Sequence, residues 1–169
     1  SGYEGLSQVI SNKGAFIKIH NDAFVISKDA INTTGYLLNN GNLNLSGSYT
    51  STANTLGDGF YRLGGDWTNT GGTFFPGAST VIFNGTSLQL VSRTGGEEFN
   101  NFSLVNTGPD PSNRVRINDN VKVGGILTMK SGNIVTGSSV MYLSGYNSSL
   151  LNYTSTTGSR VIGKFKRGV

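Results

Sequence analysis

Apolar and polar residues alternate in short segments throughout the chain, and these segments recur at nearly regular intervals. Typical examples are LNLSG at 43–47, YRLGG at 61–65 and VKVGG at 121–125. Alternation with a period of two predicts β-strands, because successive side chains of a strand point to opposite faces. No window of eleven residues keeps a helical apolar stripe free of glycine, so the pattern indicates an all-β protein with very little helix.

The spacing of these segments predicts how the strands are arranged. The segments begin at Ile17, Leu43, Tyr61, Val81, Phe102, Val121, Met141 and Val161, so the steps between them are 26, 18, 20, 21, 19, 20 and 20 residues. A repeat of about 20 residues is typical of a solenoid in which each repeat forms one turn. We therefore predict a right-handed parallel β-helix with about 20 residues per coil and two or three short strands in each coil.

Stacked coils would bring equivalent residues into columns along the axis. The alignment predicts one internal apolar column made of Leu45, Leu63, Phe83, Leu104, Val123 and Leu143. It also predicts a column of corners at Gly47, Gly65, Gly85, Asn106, Gly125 and Gly145, where glycine or asparagine would accept a positive φ. Corner asparagines are expected to form hydrogen-bonded ladders between coils.

Three segments depart from the regular repeat. Residues 21–41 contain an apparent extra half-repeat, and the two proline-containing segments 107–113 and 70–79 are predicted to be loops that leave the ladder. Residues 1–34 are interpreted as an N-terminal capping segment with the first coil, and residues 35–169 as the solenoid repeats. The last repeat has no polar cap, so we expect the solenoid to continue in a longer protein.

Composition excludes several classes of protein. Gly, Ser, Thr and Asn make up about half of the chain, and charged residues are only 13%, which suits short strands with tight corners. The chain has no cysteine, so disulfide frameworks and thiolate metal sites are impossible. The net charge of +4 is modest and its basic residues are dispersed, so we expect no nucleic-acid partner. No apolar stretch is long enough to span a membrane.

Three phrases of the sequence are distinctive. They consist of Trp67, Thr68, Asn69, Gly71, Val81, Phe83, Asn84 and Gly85, then Phe99, Asn100 and Asn101, then Gly125, Leu127, Thr128, Ser131, Gly132 and Ile134. Together they resemble a repeat of secreted and cell-surface proteins from Bacteroidetes-type bacteria, and the likeness covers about residues 35–168. The resemblance implies export, often by type IX secretion, and display within adhesins or gliding-associated proteins. It implies no catalytic residues.

Few residues could support catalysis or bind a metal ion. His20 is the sole histidine, and its place next to Asn21 and Asp22 favours a surface position over a catalytic base. The best carboxylate cluster is Asp58 with Asp66, near Arg62, and a surface ion pair is the simpler interpretation. We expect no enzyme activity and no cofactor, with calcium near residues 58–66 or 118–120 as the alternative.

Aromatic residues supply the last candidate site. Tyr61, Trp67, Phe74 and Phe75 lie within 15 residues, and exposed rings of this kind stack on sugars. The simpler interpretation is that they pack in the core.

The sequence therefore predicts a non-enzymatic, rod-like scaffold or adhesive module, secreted or at the outer cell surface. The alternatives are a carbohydrate-binding module and a polysaccharide-degrading enzyme. The expected partners are surface polysaccharide, other extracellular modules, or copies of itself, end to end or side by side.

Overall fold

The computed structural model describes residues 9–154 and 158–169, which wind into a parallel β-helix of about eight turns. Each coil contributes one short strand to each of three faces, which we name face A, face B and face C in the order in which the chain meets them. All pairs between neighbouring coils are parallel. The predicted fold class is confirmed, with three strands per coil.

The strands of the first four coils have two to four residues each. They are β1 (Ile10–Asn12), β2 (Ile17–Ile19), β3 (Phe24–Ser27), β4 (Ile31–Thr33), β5 (Leu37–Asn39), β6 (Asn42–Leu45), β7 (Tyr49–Ser51), β8 (Thr55–Leu56), β9 (Phe60–Leu63), β10 (Trp67–Asn69), β11 (Phe74–Phe75) and β12 (Thr80–Phe83). Sequence-adjacent strands lie on different faces, so every hydrogen-bonded pair joins one coil to the next.

The later coils have longer strands, and one of them passes a corner without a break. They contain β13 (Gln89–Ser92), β14 (Glu97–Phe99), β15 (Asn101–Val105), β16 (Arg114–Ile117), β17 (Val121–Val123), β18 (Leu127–Ser131), β19 (Asn133–Leu143), β20 (Leu151–Tyr153) and β21 (Val161–Arg167), with a single 3-10 turn at Ser148–Leu150 among the described residues. β19 pairs with β16 at its start and with β17 at its end, so it belongs to faces A and B in turn.

Each face is a ladder of strands one coil apart. Face A has the order β1-β4-β7-β10-β13-β16-β19, face C has the order β3-β6-β9-β12-β15-β18-β20, and face B consists of β2-β5-β8-β11 followed by β14-β17-β19. The last strand, β21, pairs along β19 on both of its faces. The predicted domain division at residue 34 falls between β4 and β5, within the second coil.

Inward side chains stack in columns, as the repeat predicts, but the predicted column changes face. Leu45, Leu63, Phe83 and Leu104 are register partners on face C, which confirms that part of the alignment. The next partner of Leu104 is Met129 rather than the predicted Val123. Val123 and Leu143 belong instead to a column on face B that starts at Phe99. The error arises because strands of faces B and C carry the same alternation of apolar and polar residues.

The irregular segments have the same explanation. The apparent half-repeat at 21–41 reflects a change of face, since Ile17 lies on face B and Leu43 on face C. Residues 107–113 form the predicted loop, between β15 and β16. The prediction of a protruding loop around Pro76 is wrong, because Phe74 and Phe75 form β11 and pair with β8.

Close stacking of the coils, and not backbone conformation, accounts for the corner glycines except Gly145, where the nearest atoms belong to the Leu150 side chain of the same coil. Gly47, Gly65, Gly85, Gly125 and Gly145 are not among the residues with positive φ, so the predicted reason for this column is wrong. A Cβ at Gly65 would lie 2.8 Å from the backbone of Gly47 in the preceding coil, and one at Gly85 would collide with the carbonyl oxygen of Gly64. The absence of a side chain lets the coils approach each other there.

Polar corner side chains bind the backbone of the next coil. Asn54 Oδ1 accepts a hydrogen bond from the backbone N–H of Thr73 at 2.9 Å, and Asn101 Oδ1 accepts one from Ile126 at 2.8 Å. At these corners the asparagine side chains bind backbone N–H groups instead of equivalent asparagines, so the predicted side-chain ladder is not what they form. They satisfy donors that the turn would otherwise leave without a partner.

Because close contact between coils explains these glycines, two alanine substitutions should change the free energy of unfolding by different amounts. Gly85→Ala should lower the free energy of unfolding by about 1–3 kcal/mol, because the new methyl group meets backbone of the coil before it. Gly124→Ala should change it by less than about 0.5 kcal/mol, because the nearest atoms lie 3.8 Å from its Cβ position. Urea unfolding of both variants measures the difference, and equal effects would contradict the account.

Candidate functional site

Three of the four aromatic residues predicted to stack on sugars lie in the core. Tyr61 and Trp67 are completely buried and Phe74 is 4% exposed, because each occupies an inward position of its strand. Phe75 points outward from β11 and is 48% exposed. The four rings therefore do not form a shared surface platform, and Phe75 alone of the four remains able to contact a ligand.

The buried rings form a continuous aromatic cluster around Trp67. The ring of Tyr49 stacks on Trp67 with centroids 4.4 Å apart, and Phe74 and Phe99 contact it edge-on at 4.8 and 5.3 Å. Burial raises the pKa of Tyr49 to about 12, although its hydrogen bond with Thr55 acts in the opposite direction. The hydroxyl group of Tyr49 therefore stays protonated at neutral pH, where it takes part in a hydrogen bond with Thr55 while its ring packs in the cluster.

A carboxylate lies inside this cluster, and sequence analysis did not single it out. Glu97 Oε2 accepts hydrogen bonds from Trp67 Nε1 at 2.9 Å and from Asn69 Nδ2 at 3.0 Å, and Oε1 lies 3.5 Å from the guanidinium of Arg93. Loss of solvent raises the pKa of the Glu97 carboxyl, while the hydrogen bonds from Trp67 and Asn69 and the charge of Arg93 act to lower it. Glu97 is thus a buried acid that is held by three partners.

Glu97 continues a polar column that runs along the corner between faces A and B. The last residues of β1, β4, β7 and β10 point inward and are register partners, namely Asn12, Thr33, Ser51 and Asn69. Thr33 and Ser51 donate to backbone carbonyls two residues further along the chain, which fixes the turn. In the fifth coil Arg93 follows β13 at the corresponding place, and its guanidinium bonds the carbonyl oxygens of Gly96 and Gly72.

A second repeated phrase in the sequence would have revealed this corner. The segments ISNKG at 10–14, INTTG at 31–35, YTSTA at 49–53, WTNTG at 67–71 and VSRTG at 91–95 share an apolar residue, two polar residues and a small residue two places later. The fifth copy places Arg where the fourth has Asn. A charged residue at this corner favours a partner of opposite charge nearby, and Glu97 lies four residues further along the chain.

The acidic residues considered for catalysis are separated and hold the backbone. Asp58 lies before β9 and accepts a hydrogen bond from the N–H of Ala78 at 2.7 Å, whereas Asp66 lies after β9 and accepts one from Leu90 at 2.8 Å. Arg62 bonds Asn42 Oδ1 at 3.0 Å and covers the ring of Phe60. The structure therefore does not assemble Asp58, Asp66 and Arg62 into one site. His20 is exposed at the surface.

Two grooves mark the outer surface. One, of about 410 Å³, follows face C in the first four coils and includes Ile26, Asn44 and Arg62. The other, of about 450 Å³, follows the corner between faces A and B in coils five to eight and includes Lys122, Tyr142 and Lys166. Both volumes lie within the range of ligand-binding clefts.

Residues 9–154 and 158–169 contain no group of three or more His, Asp or Glu side chains placed to bind a metal ion. No helix in the same ranges is long and apolar enough to cross a membrane.

Comparison with family models, curated proteins and solved structures finds no match for this chain. The architecture alone defines its class, which is a parallel β-solenoid repeat protein.

Burial of Glu97 predicts a pH dependence of stability. The folded pKa is raised above the ordinary value of 4.5, so the folded state holds the proton more tightly than the unfolded state. The contribution of Glu97 to the free energy of unfolding is therefore most favourable below pH 4.5. It declines as the pH rises through the window between 4.5 and the raised pKa of the folded state. Glu97→Gln should remove this decline while keeping an oxygen acceptor for Trp67.

The measurement is urea unfolding from about pH 4 to about pH 8, followed by the fluorescence of Trp67, the single tryptophan. Glu98→Gln is the matched control, because its side chain is 49% exposed and makes a surface ion pair with Lys122. Identical pH profiles for wild type and Glu97→Gln would show that Glu97 does not titrate as a buried acid.

Proposed function

We propose that the protein is a non-enzymatic, rod-like structural module of a secreted or cell-surface protein, in which it spaces or presents other modules. The observation that carries the proposal is the ladder of parallel strands, which runs without a break along faces A and C in a solenoid of about eight coils. Eight coils at about 4.8 Å each give a rod of roughly 38 Å. A solenoid of this kind resists bending because neighbouring coils are hydrogen-bonded along three faces, except between β11 and β14, where face B is interrupted.

The roles of the polar side chains support a structural function. Asp58 and Asp66 bind backbone N–H groups of the following coil, and the interior side chains of Thr33 and Ser51 close turns. Groups occupied in this way stabilise the rod. The resemblance to surface repeats of Bacteroidetes-type bacteria adds the expected location, by way of type IX secretion, as part of an adhesin or gliding-associated protein.

The rod and its location are tested with introduced cysteines, since the chain has none of its own. Ile26 and Asn152 are exposed and belong to one outer column of face C, six inter-coil steps apart. Spin labels at Ile26→Cys and Asn152→Cys should give one narrow distance distribution. Its centre should lie near the backbone separation of about 29 Å, displaced only by the length of the label side chains. A broad distribution would contradict a rigid rod.

The same cysteines report display on the cell. In intact cells of the organism that makes the protein, a membrane-impermeant maleimide should label Ile26→Cys and Asn152→Cys. Ser51→Cys, which is 1% exposed, should stay unlabelled and serves as the control. Labelling that occurs only after the cells are lysed would rule out a surface location.

A second candidate function is carbohydrate binding, which the exposed ring of Phe75 favours. Phe75 lies in register with Leu56 and Leu38 on the outside of face B, so its ring is the last member of an outer row of apolar side chains. Phe75→Ser should weaken binding to soluble neutral polysaccharides by about three- to tenfold. Phe24→Ser, an exposed aromatic on face C, is the control, and equal binding by both variants would remove Phe75 from consideration.

A further inference from the structure

Charge is distributed unequally along the rod. Residues 93–169 contain nine Lys and Arg side chains and four Asp and Glu side chains, a formal charge of +5. Residues 1–92 contain four basic and five acidic side chains, a formal charge of −1. The net charge of the chain therefore comes from coils five to eight, which are the coils that form the groove between faces A and B.

The outer row of face B changes character at the same place. In coils two to four its residues are Leu38, Leu56 and Phe75. In coils five to eight the row continues as Glu98, Lys122, Tyr142 and Lys166, which are register partners from strand to strand. The groove follows this second part of the row and is lined on its other side by corner residues, among them Gly96 and Asn120.

Within the groove an aromatic ring lies between two ammonium groups. Tyr142 on β19 is flanked by Lys122 on β17 and by Lys166 on β21, so the two lysine backbones are about 10 Å apart. Lys122 Nζ binds Glu98 Oε1 at 2.9 Å. Lys166 makes no ion pair with any residue that the structure describes, so its charge faces the solvent unpaired.

This arrangement selects the chemistry of a ligand. A half-buried ring offers an apolar face to the C–H groups of a sugar, and the unpaired ammonium group of Lys166 beside it attracts an anionic substituent. Coils repeat at about 4.8 Å, close to the length of one pyranose unit in a linear chain, so successive units would meet successive coils.

We propose that the groove between faces A and B in coils five to eight binds a linear polysaccharide that bears carboxylates, with Tyr142 under a sugar ring and Lys166 on a carboxylate. The proposal goes beyond the carbohydrate-binding candidate at Phe75, because it concerns a separate surface and an acidic polymer, and it is independent of surface display of the rod. Nucleic acid fits less well, because a phosphate backbone carries a charge every few ångströms, whereas Glu98 cancels one of the groove's few cations.

The experiment measures binding of the whole chain to polygalacturonate, with the methyl-esterified polymer as a ligand that has the same backbone and little charge. We expect the acidic polymer to bind and the esterified one to bind at least about tenfold more weakly. Lys166→Ala and Tyr142→Ala should each lower affinity for the acidic polymer about tenfold. The affinity should fall as salt is added, since exposed charges are screened.

Lys18→Ala is the matched control, because Lys18 is the exposed lysine of the same outer row on face B but lies in the first coil, outside the groove. It removes the same charge and should leave affinity within about twofold. Spin-label distances between positions 26 and 152 in Tyr142→Ala show whether that variant keeps the rod, so a fold defect is distinguished from loss of binding.

Four results would overturn the proposal. They are absence of binding to polygalacturonate, equal binding of the esterified polymer, equal weakening by Lys18→Ala and Lys166→Ala, and tighter binding of single-stranded DNA than of polygalacturonate. The last result would identify the surface as a site for nucleic acid. None of the four affects the spin-label test of the rod.

Discussion

Hydrogen bonding between parallel strands one coil apart is the constraint on which the whole structure depends. A strand of two to five residues forms little structure alone, so each coil is stable only when the coils above and below satisfy its backbone groups. The same requirement places small residues at the corners, where Gly85 contacts the carbonyl of Gly64, and acceptors such as Asp66 beside donors of the next coil. Local sequence is thus determined by neighbours about 20 residues away.

The corner between faces A and B accommodates the buried carboxylate of Glu97 because neighbouring groups bind it, although the side chain of its partner Arg93 is 29% exposed. Arg93 and Glu97 lie four residues apart on either side of the corner between faces A and B. Trp67 and Asn69 from the preceding coil donate hydrogen bonds to the carboxylate of Glu97. A buried charge without such partners would cost several kcal/mol. The pair also ties β10 to β14, where the ladder of face B is divided between two sheets.

The fold class could be predicted because both the alternation and the repeat are visible in short stretches of sequence. The face of each strand could not, since LNL at 43–45 on face C and VKV at 121–123 on face B have the same pattern. For Trp67 the simpler interpretation, packing in the core, is the correct one, because its parity in β10 points it inward. Glu97 was missed because EEF reads as a polar segment, and only the position of Arg93 at the corner explains its burial.

The uneven distribution of charge makes the rod an electric dipole directed along its long axis. A negatively charged surface or polymer would exert a torque on such a molecule and turn coils five to eight toward itself before any contact forms. Two rods that lie side by side would reduce their electrostatic energy by pointing in opposite directions. Orientation in an assembly is therefore encoded in the positions of the basic residues, and salt would weaken it.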